Sequence, residues 1–137
     1  SYAKGPLVWP VNGDVTSGFG TRRSAFTGEL GAHEGVDLAA NHGDPIKACW
    51  DGKVIFSGEQ EGYGKLVVVE HGDGWRSYYG QNSANNAQVG DVVQAGAVIA
   101  RAGSTGTSTG THVHFELRRN DAAVDPMLVE QRFQASR

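Results

Sequence analysis

Residues 65–79 read KLVVVEHGDGWRSYY and give the strongest indication of the fold. The β-branched run at 65–70 and the aromatic run at 75–79 are typical of β-strands. Between them, the segment 71–74 (HGDG) supplies the Gly and Asp residues of a hairpin turn. We therefore predict two antiparallel strands joined by a tight turn, and we expect His71 to be a hydrogen-bonded residue of that turn.

Other segments indicate the same class of fold. Further strands are predicted at 52–57, 98–102 and 112–118, and a short helix only at 127–134. Glycine makes up 20 of the 137 residues, well above a usual ~7%, and each Gly inside a helix is unfavourable. The sequence thus predicts a mostly β, antiparallel structure.

The length and composition indicate one globular domain. Hydrophobic residues make up 39% and charged residues 20% of the 137 residues, a chain long enough for one core and too short for two ordinary domains. We expect a single domain over 1–137, with a core at about 9–126 and a short C-terminal tail at 127–137. Within it, GDPIKA at 43–48 is similar to GDVVQA at 90–95, through duplication of a hairpin unit or through chance.

Charge and cysteine content narrow the classes of function. With 12 Lys and Arg against 15 Asp and Glu, the net charge is -3, which is not the basic surface of a nucleic-acid binder. No apolar run approaches the ~18 residues of a membrane span. The first residues, SYA, include neither an initiator Met nor a signal peptide's apolar region, so we expect a fragment whose targeting signals, if any, were removed. Cys49 is the single cysteine, which excludes an internal disulfide and leaves the cellular compartment open.

The segment 112–118 (HVHFELR) alternates strictly between polar and apolar residues. As a strand it places three apolar side chains toward the core and four polar ones on the opposite face: His112, His114, Glu116 and Arg118. Two imidazoles on one face allow one to bind a metal while the other reaches a ligand of that metal. A polar strand face that merely contains two histidines explains the pattern equally well.

His33 and Asp37 form a second candidate cluster. Gly35 and Val36 between them favour an extended segment, in which residues i and i+4 share a face. Imidazole and carboxylate are suitable zinc ligands, and a further His would complete three ligands with an open fourth position, as in catalytic zinc sites. Such a site would serve hydrolysis. On its own the spacing is weak, because a turn with a solvated carboxylate has the same sequence.

Five motifs follow one another in a specific order: SGFG at 17–20, His33-x3-Asp37, GYG at 62–64, GSTG at 103–106 and HVHFE at 112–116. This order, from about Trp9 to Pro126, resembles the LytM/lysostaphin-type metallopeptidases of family M23. The resemblance implies a small antiparallel β domain of the LytM, or duplicated-hybrid-motif, type with an open groove that holds one zinc ion. It also implies three zinc ligands, His33, Asp37 and His114, and a catalytic role for His112 outside the ligand set.

One position departs from the family pattern. Active members usually have a further catalytic histidine in a Tyr-x-His context, and the matching segment 79–82 reads YGQN, with Gln81 at that position. Glutamine can hydrogen-bond a water or a developing oxyanion, but it cannot exchange a proton near neutral pH. We nevertheless assign Gln81 to the catalytic set with His112, and we expect Arg22 and Tyr79 to contact substrate in the groove. Buried packing explains the tyrosine equally well, and a surface charge explains the arginine.

The resemblance implies two functions. The first is a zinc-dependent endopeptidase that cleaves the peptide cross-links of bacterial cell-wall peptidoglycan, impaired by Gln81. The second is a catalytically weak or inactive LytM-type regulator, which binds peptidoglycan or activates a cell-wall amidase during envelope remodelling or cell division. Both imply a location in the bacterial cell envelope, in the periplasm or outside the cell.

Two other interpretations fit less well. Paired Gly-Asp hairpins also occur in lipoyl- and biotin-carrier domains and in sugar phosphocarriers, but this chain has no Lys in a carrier-type turn, and a phosphocarrier does not need Asp37 at ligand spacing. The segment 103–110 (GSTGTSTG) lacks the Lys of a phosphate-binding loop and precedes a strand. We expect it to form a rim of the groove. His42, in the sequence NHGD, is expected to be a loop residue.

Overall fold

The computed structural model describes residues 6–23, 30–104 and 111–129. Within these ranges the chain forms β1 (Val15–Ser17), β2 (Gly20–Arg23), β3 (Leu30–His33), β4 (Val36–Ala39), β5 (Pro45–Lys47), β6 (Gly52–Gln60), β7 (Gly64–Gly72), β8 (Trp75–Asn85), β9 (Val92–Val93), β10 (Val98–Ala102), β11 (His112–Arg119) and β12 (Ala122–Val124). Residues 126–129 are helical. The remainder of the predicted helix, and residues 105–110 of the predicted rim loop, lie outside the described residues.

The strands pair in an antiparallel arrangement. The main sheet has the order β1-β4-β11-β8-β7-β6-β9, with β10 paired to both β5 and β8 and with β12 beside β11. Strands β2 and β3 form a separate two-stranded sheet. The prediction of a mostly β, antiparallel fold is confirmed, and each of the five predicted strands is present. Among the described residues, no helix is both long enough and apolar enough to cross a membrane.

The hairpin of β7 and β8 has a shorter turn than predicted, because His71 and Gly72 belong to β7. Gly72 pairs with Trp75, so the turn is made by Asp73 and Gly74, whose φ angles of 52° and 80° are left-handed as a two-residue hairpin turn requires. The assignment of His71 to the turn was therefore wrong. It lies in β7 and is fully buried.

The two Gly-Asp segments of the repeat make corresponding hydrogen bonds. The N–H of Asn41 donates to Asp44 Oδ2 at 2.8 Å, and the N–H of Gln88 donates to Asp91 Oδ2 at 2.9 Å. The first segment contains β5 and is followed by β6, and the second contains β9 and is followed by β10. Strand β5 pairs with β10, and β9 pairs with β6, so each segment pairs with the strand that follows the other. This reciprocal pairing supports duplication of one hairpin unit.

The core lies beneath the main sheet. Val113, Phe115 and Leu117 of β11 are fully buried, as the alternating pattern predicted. The largest buried apolar or aromatic side chains are Trp50, Tyr79, Phe115, Leu38, Ile46, Ile99 and Leu117. Because β11 is paired with β4 on one side and β8 on the other, and because its apolar face is fixed in this core, its opposite face is held in a defined position.

A chain of buried hydrogen bonds crosses the core. The N–H of Cys49 donates to the Tyr79 hydroxyl at 2.9 Å, that hydroxyl lies 2.6 Å from Ser77 Oγ, and Ser77 Oγ lies 2.6 Å from Nε2 of His71. The other ring nitrogen of His71 donates to the carbonyl of Asp51 at 2.7 Å. Burial lowers the pKa of His71, and the neutral ring can accept from Ser77. Each of these buried polar groups is therefore satisfied.

Candidate metal centre

Three predicted ligands come together on the polar side of β11. Strand pairing sets His114 directly opposite Asp37 of β4, and β3 ends at His33 beside them. Nδ1 of His114 lies 2.9 Å and Nε2 of His33 lies 3.5 Å from Oδ1 of Asp37. One potential ligand atom from each residue lies within 4.8 Å of the others, and the ligand atoms of one zinc ion are expected to be roughly 3 to 3.5 Å apart. Small side-chain movements would suffice to hold a single ion.

The hydrogen bonds of the two imidazoles fit a zinc site. Nδ1 of His33 donates to the carbonyl of Gly18 at 2.7 Å, and Nε2 of His114 lies 2.7 Å from Oε2 of Glu116. Zinc-ligating histidines almost always donate their outer N–H in this way, which fixes the ring and its tautomer. Nε2 of His33 then faces Oδ1 of Asp37 at 3.5 Å, and these are the two atoms that would bind a metal ion.

The charges of the cluster are strongly coupled. Burial opposes ionisation of Asp37, but hydrogen bonds from His114 and His33 outweigh it and hold the pKa of this carboxyl well below its usual range. Burial likewise opposes protonation of His114, but its bonds to Asp37 and Glu116 raise the pKa of this imidazole to about 9. The carboxylates of Asp37 and Glu116 therefore stabilise a positive charge on the group between them.

The sequence predicted an extended segment from His33 to Asp37, but the structure has a bend between these two residues. The chain leaves β3 after His33, bends at Gly35 and enters β4, so the two ligands belong to different sheets. A Cβ at Gly35 would overlap the carbonyl oxygen of Phe115 and lie 2.7 Å from Cγ of Glu116. Glycine at position 35 therefore allows the two ligand-bearing segments to approach each other.

Gly35→Ala is expected to destabilise the protein and to weaken metal binding. The added methyl group meets backbone of β11, which cannot yield as a side chain would, so the free energy of unfolding should fall by about 1–3 kcal/mol or more. Denaturant titration measures this loss. The matched control is Gly58→Ala, because a Cβ there makes only an ordinary 3.5 Å contact with Phe56, and its stability should equal or exceed that of the wild type. Equal stability of the two variants would contradict the close-approach argument.

His112 lies beside the ligand cluster. Its Nε2 is 4.0 Å from Oδ1 of Asp37, and a fifth of its side chain is exposed. It pairs with Ala39 of β4. Next to Ala39 is an open depression of about 490 Å³, whose wall includes Asn41, Asp44 and Lys47 but none of the three predicted ligands. His112 is therefore a partly exposed residue beside the predicted ligands.

Gln81 occupies an unusual backbone position. It follows Gly80, the residue paired with His114, and has a φ of 69°. Its side chain is nearly buried, and Nε2 makes a long hydrogen bond of 3.4 Å to the carbonyl of Gly62. Oε1 is buried and has no hydrogen-bond partner within the described ranges. Glutamine is thus incompletely satisfied at this position.

The two predicted substrate contacts have different outcomes. Tyr79 is fully buried, and its hydroxyl belongs to the buried chain with Cys49 and Ser77. The expectation that it lines the groove was wrong, because it has no surface to offer a substrate. Arg22 lies in β2 opposite Gly31, where the structure describes only the backbone, so its contact with substrate stays a prediction. His42 lies in an exposed turn, as predicted.

The sequence places Glu116 and Arg118 on the polar face of β11 and Glu34 next to His33, and it indicates no role for any of the three. In the structure, Glu116 contacts His114 and Arg118, and Arg118 reaches Glu34 at 2.8 Å. The signal that could have identified Glu116 is a carboxylate two residues after a predicted ligand on the same strand face, within reach of the outer nitrogen of that ligand.

The chain is similar to known proteins over most of its length. The family described as "Peptidase family M23" matches residues 31–126. The chain is 39% identical over 124 residues to DD-carboxypeptidase/endopeptidase Mpg of Neisseria meningitidis, and 40% identical over 123 residues to murein hydrolase activator EnvC of Escherichia coli. Each alignment covers 90% of this chain and 28% of the relative. The chain thus spans less than a third of these relatives.

Solved structures show the same fold. The catalytic domain of the antimicrobial peptidase lysostaphin from Staphylococcus simulans superposes with a TM-score of 0.78 at 36% identity, covering 88% of this chain and 93% of that domain. A zinc-containing peptidase from Vibrio cholerae superposes with a TM-score of 0.81 at 35% identity, covering 87% of this chain and 38% of that protein. The matched family covers the residues that form the His33, Asp37 and His114 cluster, and the chain belongs to peptidase family M23.

Proposed function

We propose that this chain is a zinc-dependent endopeptidase domain, residues 1–137, that cleaves the peptide cross-links of peptidoglycan in the bacterial cell envelope. The observation that carries the proposal is the cluster of His33, Asp37 and His114, in which the outer nitrogen of each imidazole is already held by a hydrogen bond. A degenerate site would have no need to hold both rings in this way. Relatives named as an endopeptidase and as a zinc-containing peptidase support the assignment.

The chain's own residues supply the remaining parts of a hydrolytic site. Zinc held by the three ligands would act as a Lewis acid and lower the pKa of water. Nε2 of His112 lies 4.0 Å from Oδ1 of Asp37. From there it can accept a proton from the water that attacks the peptide carbonyl and return a proton to the leaving amine. The amide of Gln81 can donate a hydrogen bond to a developing oxyanion but cannot move a proton. Proton transfer would therefore rest on His112.

A second function is favoured by Gln81 itself. A site with only one proton-exchanging histidine would turn over slowly, and a relative 40% identical to the chain is named a murein hydrolase activator. In that case the domain would bind peptidoglycan, or bind and activate a cell-wall amidase during envelope remodelling or division. Retention of all three ligands favours the peptidase, and the amide at position 81 favours the activator.

Digestion of purified peptidoglycan distinguishes the two functions. For the peptidase, the zinc-loaded protein releases muropeptides, and removal of zinc with a chelator abolishes the release until zinc is restored. For the activator, the protein alone releases none and increases the rate of an added cell-wall amidase. Release of muropeptides that survives complete removal of metal would contradict the zinc mechanism.

A further inference from the structure

Glu116 is buried on the metal side of β11 although it is not one of the three candidate ligands. Only 2% of the residue is exposed. Its Oε2 lies 2.7 Å from Nε2 of His114 and accepts a hydrogen bond of 2.7 Å from the hydroxyl of Tyr63. One carboxylate oxygen is thus shared between a predicted metal ligand and a tyrosine.

The other oxygen of Glu116 is held by Arg118. Nε and Nη2 of Arg118 donate to Oε1 at 3.0 and 2.8 Å. The same guanidinium donates to Glu34 at 2.8 Å and lies 5.2 Å from the centre of the Tyr78 ring. Because both oxygens are engaged and the guanidinium is itself fixed on two sides, the carboxylate has little freedom to rotate.

We propose that Glu116, held by Tyr63 and Arg118, is a positioning residue that sets the tautomer and orientation of the metal ligand His114. An acceptor on Nε2 keeps a proton on that nitrogen, so a metal ion that binds would displace the proton from Nδ1, the atom directed at Asp37. The inference rests on the metal site of the proposed function, but it does not depend on whether the site hydrolyses peptidoglycan.

Packing alone does not explain a carboxylate at this position. A buried ion pair is weak evidence for stability, since apolar residues of similar volume are often as good or better. Here the carboxylate joins the two ligand-bearing segments, because Arg118 connects it to Glu34, the residue after His33. An apolar residue at position 116 would therefore serve stability equally well, and we attribute the carboxylate to its contacts with the predicted ligand His114 and with Arg118.

Glu116→Gln tests the proposal with little change in volume. Arg118 would attract the amide oxygen, so the NH2 group would face Nε2 of His114 and favour the tautomer with a proton on Nδ1. Chelator competition should then show zinc affinity about 10- to 100-fold lower. The absorption bands of the Co²⁺-substituted protein should also shift, which a merely structural role of Glu116 would not cause.

Tyr63→Phe provides a second variant, which removes one hydroxyl and keeps the ring. We expect a smaller loss of zinc affinity in the same direction. The matched control is Glu70→Gln, which makes the same chemical change at a half-exposed carboxylate paired with Arg76 at 3.6 Å, and which should leave zinc affinity and the Co²⁺ spectrum unchanged.

The results separate this inference from the proposed function. If the wild type binds zinc but releases no muropeptides, the peptidase function fails while the role of Glu116 is still measured. The inference would be overturned if folded Tyr63→Phe had the zinc affinity and the Co²⁺ spectrum of the wild type. The same result for Glu116→Gln would also overturn it. Absence of zinc binding by the wild type would overturn both.

Discussion

Replacing His33 with alanine is expected to lower zinc affinity by on the order of 10²- to 10³-fold. A structural zinc site contributes about 10–16 kcal/mol in total, so one ligand of a small set accounts for about 3–4 kcal/mol, and each ~1.4 kcal/mol is a factor of ten. His33 is the most informative of the predicted ligands to remove, because within the described ranges its outer nitrogen bonds only a backbone carbonyl, that of Gly18. Loss of its ring removes a ring contact with His114 but leaves the hydrogen bonds of His114 to Asp37 and Glu116 in place.

Metal analysis after dialysis measures the effect, and chelator competition gives the affinity. Thermal unfolding supplies an independent measurement, because zinc at 100 times its dissociation constant should stabilise the wild type by about 2.7 kcal/mol and the variant hardly at all. His42→Ala is the matched control, since His42 lies in an exposed turn and should bind zinc like the wild type. If His33→Ala and His42→Ala retain zinc equally, the ligand assignment is wrong.

The alternation of residues 112–118 predicted much of this site. Once the segment is a strand, the period of two decides which side chains enter the core and which share the opposite face. The structure places Val113 and Phe115 in the core, and His114 opposite Asp37. The candidate ligands could be named from sequence because strand geometry and a resemblance to a known family both identified them.

The burial of Tyr79 and the position of His71 in the hairpin could not be predicted from the sequence. Tyr78 and Tyr79 are adjacent, so one must face the core, and only the register of β8 against its neighbours decides which one does. The turn had the same ambiguity, because four consecutive residues (HGDG) permit more than one closing pair. The structure closes the turn at Gly72 and Trp75, which moves His71 into the strand and beneath the sheet.

Long-range polar contacts were equally beyond the sequence. Arg118 meets Glu34 across 84 positions of the chain, and Tyr63 meets Glu116 across 53. No local pattern specifies such partners, since each depends on how strands from distant parts of the chain are ordered in the sheet. The sequence therefore indicated the three candidate ligands, whereas the residues that contact them became evident only in the structure.

Replacing Gln81 with histidine is expected to raise the rate of peptidoglycan hydrolysis by about 10²- to 10⁴-fold, the usual contribution of a positioned acid or base. The backbone at this position suits the change. A φ of 69° is uncommon for a non-glycine residue, and His is several-fold enriched in this region. The change also removes the buried Oε1 that lacks a partner, so the variant should fold at least as stably. Muropeptide release by the zinc-loaded protein measures the gain.

Gln81→Asn separates backbone conformation from proton transfer. Asparagine is also enriched at positive φ, but its amide cannot exchange a proton near neutral pH. If residue 81 acts as a proton donor or acceptor, Gln81→His gains activity and Gln81→Asn does not, although both variants are folded and bind zinc. Equal rates for the two variants would show that position 81 affects the site only through its backbone. A gain confined to histidine would mean that the glutamine is what limits turnover in a site that is otherwise complete.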